Sequence, residues 1–415
     1  MSTSPHWYRW ILLAGVWAIY CSFGLIVSSL APLVGLIEAD LNISRSAMGS
    51  VMGAWQLVFI VSAIPCGILL DKIGTRAAIT LGGLIIAASA MARGFSDSYV
   101  MLMMAVMLFG IGGPIISSGA PKVVTRYFDG QSRGLAMGIY MTGPSIGGVV
   151  SLTLTHSVLI PFFDDSWRAV MFLWAGLAAC LSILWWVLST LNPISNISPD
   201  DKKETPEKVE IPLKQTHVIM NLLRQPSVVL VLAMGIGVFM FNHGLMNWLP
   251  ALLEDGGLSE IDAGYWAAIP TVVGIAGSLL IPRLATPARR FHILVALTLC
   301  AAFASILLQF STDLPLITGL ILQGIARSSL MTVLILTLLE LPAVGEKYAG
   351  VASGLFFTAA EVGGVMGPIS LGILYDLSGS FSSGLYLLSS ISLLLAISAV
   401  VLKRTSDNPI TDQKE

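Results

Sequence analysis

Charged residues are scarce in this chain. Asp, Glu, Lys and Arg together make up 11% of its 415 residues, whereas soluble domains carry about 25%. Hydrophobic residues reach 55%, and the mean hydropathy is +0.83. The formal net charge of −2 provides no basic field that would attract nucleic acid. These values predict an integral membrane protein with no nucleic-acid partner.

Signatures of catalysis and of cofactor binding are also missing. The chain has no Gly-x4-Gly-Lys phosphate loop and no pair of histidines at metal-ligand spacing. Its few cysteines fall inside apolar stretches without paired spacing, which favours buried or lipid-facing residues over disulfides or metal ligands. The cysteines are Cys21, Cys66, Cys180 and Cys300. We therefore predict no enzymatic activity, no cofactor and no metal site.

Long apolar segments are what the chain has in abundance. Twelve can be counted between charged or turn residues, and each is long enough to cross a bilayer with some tilt. They span residues 9–35, 47–70, 76–95, 98–121, 133–160, 167–190, 226–252, 262–283, 289–311, 314–339, 348–374 and 382–402. The sequence predicts an all-α membrane protein with twelve transmembrane helices.

One polar stretch separates the first six segments from the last six. Residues 193–218 combine mixed charge, proline and few apolar side chains, which is typical of a flexible linker. The predicted domains are therefore an N-terminal six-helix bundle at 1–192, a cytoplasmic linker at 193–218 and a C-terminal six-helix bundle at 219–415.

Lysines and arginines fall mostly on one side of the predicted membrane. Apart from Arg327, which lies near the middle of an apolar segment, the exceptions are Arg45, Arg93 and Arg168, which fall on the opposite side. An excess of basic residues marks cytoplasmic loops. We therefore expect a multi-pass protein of the cell's inner membrane with both termini in the cytoplasm. We also expect it to act as a monomer.

The two predicted bundles share a sequence pattern. Residues 133–140 match residues 349–356 in the placement of glycine and apolar side chains, and the same offset aligns glycine pairs further along both helices. Internal duplication of this kind is a mark of transporter folds. It predicts that the two six-helix bundles are pseudo-symmetric.

Two charged residues lie near the middle of apolar segments, and both belong to the second half. Arg327 stands where the first half has Gly113, and Glu361 stands where it has Ser145. A cation at this depth costs about 3 kcal/mol on insertion scales. We therefore expect a partner for Arg327, a water-filled cavity or an anionic ligand. Opposite charges at similar depth indicate a polar pathway through the membrane.

Each of these charges has two open interpretations. Arg327 either forms a structural salt bridge with Glu361 or anchors a carboxylate or small oxoanion, whose geometry the guanidinium matches. Gln323 lies one turn away on the same helix face and adds a further candidate ligand. Glu361 is either a permanent counter-ion or a proton carrier.

Further polar and aromatic residues fall at a similar depth. Asn242 and His243 lie together in the seventh apolar segment, and histidine is a common proton carrier as well as a common buried structural residue. Tyr20, Trp55 and Gln56 lie in the first two segments. We include all five as candidate substrate-binding residues, and packing is the alternative role for the aromatic ones.

The loop between the second and third segments carries a distinctive pattern, Gly67-x3-Asp71-Lys72-x-Gly-x-Arg76. Gly67 is expected to let two helices approach closely. Asp71 is suited to accept hydrogen bonds at a helix end. Lys72 and Arg76 are expected to pair across the two halves when the inner gate is shut. The alternative is an ordinary basic cytoplasmic loop.

The fifth segment combines small residues with a proline. Gly143 and Pro144 belong to a run in which glycines recur every three to five positions, so one helix face is smooth and the helix is bent. A closely packed helix that flexes would suit a gating role at the interface of the halves. Static helix packing is the alternative.

Twelve predicted helices, the six-plus-six division, the Gly67–Arg76 loop and the glycine–proline pattern together resemble the major facilitator superfamily. The resemblance covers nearly the whole chain. It implies a central cavity lined by the first, fourth, seventh and tenth helices, with alternating access by rocking of the halves. The runs Asn247–Pro250 and Gly256–Ser259 look like the cyanate-permease-like and organic-anion branches.

The leading functional hypothesis is a secondary active transporter that moves a small organic or inorganic anion across the inner membrane, coupled to protons or to exchange. The alternative is a proton-driven exporter of drugs or metabolites, because the pattern of the fifth segment resembles a motif common in the superfamily's antiporters. A membrane sensor or enzyme is a hypothesis of another class, and it would need a signalling domain or a catalytic cluster.

Overall fold

The computed structural model describes residues 7–191, 213–310 and 313–407, and this part of the chain is helical with no strand. Short helical turns at Ala31–Leu33 and Thr155–Leu159 accompany the α-helices. The α-helices are α1 Tyr8–Ser28, α2 Val34–Leu41, α3 Arg45–Gly94, α4 Tyr99–Tyr127, α5 Gly130–Leu154, α6 Ile160–Phe162, α7 Trp167–Thr190, α8 Leu213–Leu223, α9 Pro226–Asp255, α10 Glu260–Leu284, α11 Arg290–Leu307, α12 Asp313–Leu339, α13 Gly345–Ser378 and α14 Ser382–Asp407.

The predicted set of twelve spanning helices is confirmed once α3 is divided. In the described part of the chain, eleven helical stretches are long and apolar enough to cross a membrane, and α3 alone has 50 residues. Within α3 the backbone of Gly74 has φ 77° and ψ 162°, so the helix is broken there. Only glycine adopts such a positive φ without strain. The break lies between the two predicted segments 47–70 and 76–95.

The chain forms two compact units. The first contains α1, α2, the part of α3 from Ala54 onward, and α4 to α7. The second contains the start of α3 as far as Gly53, together with α8 to α14. The linker predicted at 193–218 lies mostly outside the described residues, and its last residues begin helix α8 at Leu213. The predicted domain boundaries therefore stay a prediction.

The start of α3 belongs to the second unit because α13 holds it there. The carboxylate of Asp376 accepts the backbone N–H groups of Arg45 at 3.2 Å and Ser46 at 2.9 Å. These are orphan donors of the first helical turn, and a carboxylate at this end also complements the helix dipole. Gly49 brings the α3 backbone against the carbonyl of Pro368.

Glycines bring equivalent helix pairs together in each unit. In the first unit α5 packs on α1, and a Cβ added at Gly147 would overlap the carbonyl oxygen of Cys21. In the second unit α13 packs on α9, and a Cβ at Gly363 would overlap the carbonyl oxygen of Ile236. Gly147 and Gly363 are aligned by the sequence repeat. The predicted pseudo-symmetry is therefore visible in the packing.

Arg93, one of the basic residues predicted on the outer side, packs against a neighbouring helix. This residue belongs to the last turn of α3, and it is only 1% exposed. Its Nη1 donates to the carbonyl oxygen of Ile26 at 2.9 Å and to Ser29 Oγ at 3.3 Å, where α1 ends. Its charge therefore satisfies the open C-terminal end of a neighbouring helix.

Candidate functional site

Three helices of the second unit meet around Arg327. This residue lies on α12 and is half-buried, and its Nη1 donates to Thr271 Oγ1 of α10 at 3.3 Å. Asn242 of α9 donates from Nδ2 to the backbone carbonyl oxygen of Arg327 at 3.3 Å. Thr271 is neutral, so the contact that holds the guanidinium leaves its positive charge uncompensated.

Gln323 lies one turn before Arg327 on α12, as the sequence indicated. It is fully buried, and neither Oε1 nor Nε2 of its side-chain amide has a hydrogen-bond partner within the described residues. Asn242 Oδ1 is also buried without a partner in that part of the structure. Buried polar atoms are normally satisfied, so the open amide of Gln323 and the open oxygen of Asn242 make the surroundings of Arg327 a candidate ligand site.

His243 follows Asn242 on α9 and is half-buried. Its ring packs against the ring of Phe239, with centroids 5.4 Å apart, and it lies within electrostatic range of Arg327. The carbonyl oxygen of His243 accepts a hydrogen bond from Asn247 Nδ2 at 2.8 Å. The histidine therefore belongs to the polar neighbourhood of Arg327, and its predicted proton-carrying role stays a prediction.

Glu361 lies on α13 and is 7% exposed. Its Oε2 is buried with no hydrogen-bond partner among the residues that the structure describes, and no ion pair there joins it to Arg327. The structural salt bridge that was one interpretation of the two charges is therefore not formed in this conformation. Both charges are left available for other partners.

The aromatic candidates of the first unit form a packed cluster. The ring of Tyr20 lies 5.6 Å from the rings of Phe23 and Tyr140. Trp55 is buried and makes edge contacts with aromatic neighbours, and Gln56 beside it is fully buried. These three candidates belong to a different unit from Arg327, and their role as substrate ligands stays a prediction.

The loop predicted to act as a gate makes contacts inside the first unit, and its gating role stays a prediction. Asp71 forms an ion pair with Lys122 of α4 inside the first unit, while Lys72 is exposed. The backbone carbonyl oxygen of Arg76 accepts a hydrogen bond from Trp185 Nε1 at 3.2 Å. A Cβ added at Gly67 would meet no described atom within 4 Å in this conformation, and the close helix approach expected there stays a prediction.

The glycine–proline face of α5 lies against α1 within the first unit. A Cβ added at Gly143 would come within 3.0 Å of the carbonyl oxygen of Trp17, and Pro144 fills the space beside Gly24. Residues 143–147 also match the Gly-x-Ser-x-Gly spacing of a hydrolase nucleophile. That motif requires a sharp strand-to-helix turn, whereas here the residues lie inside a continuous helix.

Sequence reasoning missed Thr271, the side-chain partner of Arg327. A threonine in an apolar helix gives little signal, because its hydroxyl usually donates to its own helix, as Thr337 does to the carbonyl of Val333. The sequence repeat between the two halves gave one weak indication of what surrounds Arg327, because it pairs this residue with a glycine. A Cβ added at Gly113, the counterpart of Arg327 in the first unit, would meet the rings of Phe59 and Phe23 at 3.3–3.4 Å, so apolar groups fill the equivalent position there.

No metal site is evident, since the described residues contain no group of three or more His, Cys, Asp or Glu side chains that could hold an ion. The polar groups of this site are the guanidinium of Arg327, two neutral amides, a hydroxyl and the imidazole of His243, and one buried carboxyl group lies elsewhere in the unit. This set is suited to reversible binding of a small charged molecule.

The comparison with known proteins identifies the family. A model of the Major Facilitator Superfamily matches residues 16–368. The hexuronate transporter of Bacillus subtilis (strain 168) is 23% identical, over 90% of this chain and 89% of that protein. The quinolone resistance transporter of Acinetobacter baumannii is 26% identical, over 86% of this chain and 84% of that protein. The probable galactarate/D-glucarate transporter GudP of Bacillus subtilis is 24% identical, with 90% and 89% covered.

Solved structures agree on the fold. An inward-facing, unoccupied bacterial homolog of the human lysosomal transporter Spinster has a TM-score of 0.76 at 16% identity, with 98% of both chains covered. The nucleoside transporter NupG has a TM-score of 0.79 at 13% identity, with 95% of this chain and 99% of that chain covered. The chain is therefore a multi-pass integral membrane protein and belongs to the Major Facilitator Superfamily of transporters.

Proposed function

We propose that this protein is a secondary active transporter that moves a small anionic solute across the inner membrane by alternating access, with Arg327 as the anion anchor. The observation that carries the proposal is the half-buried guanidinium whose described side-chain partner is the neutral Thr271. A cation inside an apolar helix needs a compensating charge. An anion that binds between the helices would supply it.

The names of the relatives support an anionic solute. Besides the hexuronate and galactarate/D-glucarate proteins, they include a putative tartrate transporter of Agrobacterium vitis and a nitrite extrusion protein of Bacillus subtilis. All of these compounds are anions at neutral pH. Carboxylates and small oxoanions are also the groups that a planar guanidinium binds through two parallel hydrogen bonds.

We further propose that substrate movement is coupled to protons through Glu361, with His243 as the second candidate carrier and exchange as the other mode of coupling. Glu361 is buried and is not held in an ion pair with Arg327. Cotransport of an anion with a proton would avoid moving net charge, which is worth about 2.3 kcal/mol per charge per 100 mV. Both termini are proposed to lie in the cytoplasm, as the basic loops indicate.

A proton-driven drug exporter is the second candidate. The quinolone resistance transporter favours it, and so does the glycine–proline pattern of α5. The two candidates differ at the site, because an exporter of drugs that lack a carboxylate would not depend on a bidentate contact with Arg327. The anion transporter and the drug exporter therefore differ in whether binding of the substrate requires Arg327.

The test is to replace Arg327 by alanine and by lysine in the purified protein, reconstituted in vesicles. We expect Arg327→Ala to abolish binding and uptake of carboxylates, and Arg327→Lys to lose at least about 1.4 kcal/mol of affinity, or tenfold, because lysine cannot form a bidentate fork. Calorimetry and radiolabelled uptake would measure both.

The matched control is Arg289→Lys, which makes the same change at an exposed arginine. It should bind and transport like the unmodified protein. Normal uptake by Arg327→Ala would remove this residue from the site and would favour the drug-exporter candidate. Full activity of Arg327→Lys would reduce the guanidinium to a simple counter-ion.

A further inference from the structure

We infer that the transported anion carries hydroxyl groups beside its carboxylate, so that the substrate is a hydroxylated carboxylic acid rather than a bare inorganic anion or an unsubstituted acid. This inference rests on the proposed function and concerns the same site. The evidence for it is a set of buried polar atoms in the same unit as Arg327 that have no hydrogen-bond partner among the described residues.

The unsatisfied acceptors of the second unit are concentrated on three helices. Among its described residues, the buried side-chain oxygens with no hydrogen-bond partner are Asn242 Oδ1, Gln323 Oε1 and Glu361 Oε2. Gln323 shares α12 with Arg327, and Asn242 touches the Arg327 backbone from α9. Glu361 lies on α13, which packs against both α9 and α12. Other buried hydroxyls of the unit have partners: Thr337 donates to the carbonyl oxygen of Val333 on its own helix, and Ser389 donates to that of Ala302 on α11.

The identity of the open atom on Asn242 follows from its neighbour. The side chain faces the carbonyl oxygen of Arg327 at 3.3 Å, and a carbonyl can only accept a hydrogen bond. The amide group that faces it must therefore be the NH2 group, which leaves the amide oxygen open. An acceptor at this position needs a ligand that donates.

This requirement separates possible anions by their chemistry. Inorganic oxoanions and deprotonated carboxylates present only acceptors, so they satisfy Arg327 and leave the amide oxygens unpaired. A hydroxyl group both donates and accepts. It can therefore serve both atoms of the Gln323 amide at once. Gln323 and Arg327 are neighbours on one helix face, with Cβ atoms about 5–6 Å apart, so one short hydroxy acid can reach both.

The test compares acids that differ only in their hydroxyl groups: tartrate with succinate, and D-glucarate with adipate. We expect the purified protein in detergent to bind the hydroxy acid of at least one pair tenfold or more tighter than its partner. Gln323→Leu should shrink this preference to about twofold or less while retaining weak binding of both acids. Thr337→Val is the control, since it removes a satisfied hydroxyl from the same helix, and it should keep the full preference.

A second measurement does not depend on any ligand. If the open amide of Gln323 exists for substrate, replacing it by leucine of similar size should raise the melting temperature of the unliganded protein, because an unsatisfied buried group is removed. If the amide instead supports the fold, the melting temperature should fall. A fall would overturn the inference.

The binding outcomes distinguish this inference from the proposed function. Equal affinity within both pairs, together with loss of all binding in Arg327→Ala, would overturn the hydroxyl requirement and leave the anion transporter intact. Binding of these acids that does not depend on Arg327, or no binding of any anion, nitrite included, would overturn the proposed function and the inference with it.

Discussion

Two arginines within apolar helices, Arg93 and Arg327, differ in how far the fold itself satisfies them. Arg93 is 1% exposed, donates to a carbonyl and a hydroxyl, and lies 5.6 Å from the centre of the Phe109 ring. Arg327 is half-buried and has one side-chain contact, to a neutral hydroxyl. The hydrogen bonds of Arg93 are made within the first unit, so we assign it to the fold, whereas Arg327 is the residue proposed to bind the substrate.

At the scale of single residues, replacing Glu361 tests whether substrate transport is coupled to protons. We expect Glu361→Gln to exchange substrate across vesicle membranes in counterflow but to lose accumulation driven by a pH gradient, because glutamine keeps the shape of the side chain but cannot take up a proton. Both assays would be run on the same vesicles. Glu260→Gln, an exposed glutamate at the start of α10, is the control.

Two results would contradict the assignment of Glu361. If the glutamine variant keeps pH-driven accumulation, the proton carrier lies elsewhere, and His243 is the next candidate to replace. If it also loses counterflow, Glu361 is a direct ligand of the substrate or a structural residue.

At the scale of secondary-structure elements, the close packing of α5 on α1 depends on glycine, which has no side chain, at the contact. A Cβ at Gly147 would overlap the carbonyl oxygen of Cys21, a backbone atom that cannot move aside without separating the helices. A Cβ at Gly138, on the same helix, would meet no described atom within 4 Å. Gly138 is therefore a matched control for Gly147 on the same helix.

We expect Gly147→Ala to destabilise the protein by about 1–3 kcal/mol, the typical cost of overpacking. Gly138→Ala should be neutral or stabilising by up to about 1 kcal/mol, because alanine favours the helix more than glycine does. Melting temperatures in detergent would show the two opposite shifts. Equal shifts for both variants would mean that α1 and α5 do not pack closely in the native protein.

The whole molecule must open at each end in turn if alternating access operates. The loop that follows the first half of α3 is a candidate for controlling one end, since Asp71 pairs with Lys122 of α4 and Gly74 breaks the helix three residues later. These contacts belong to the first unit. They lie in a different unit from Arg327, Gln323 and Asn242.

We therefore expect Asp71→Asn to lower the maximal transport rate severalfold while leaving substrate affinity nearly unchanged. Uptake measured over a range of substrate concentrations would separate the two parameters. Asp129→Asn is the control, because Asp129 is also exposed and ion-paired, to Arg133 four residues along its own chain. A large loss of affinity with an unchanged maximal rate for Asp71→Asn would place this loop at the binding site instead.

The sequence by itself determined the membrane class, the twelve apolar segments, the repeat between the halves and the two charges inside the second half. These features depend on composition and on spacing along one helix, which are local. Gly147 and Gly363 could be paired by the repeat before any packing was known, because close helix contacts require glycine wherever they occur.

Only the tertiary structure decided which polar groups meet. It placed Thr271 beside Arg327, left Glu361 outside an ion pair, buried Arg93 against the end of α1 and left Gly67 without a close neighbour. Each outcome depends on how helices rotate and tilt against one another. That orientation is set by the packing of many side chains distant in sequence, so no local pattern contains it.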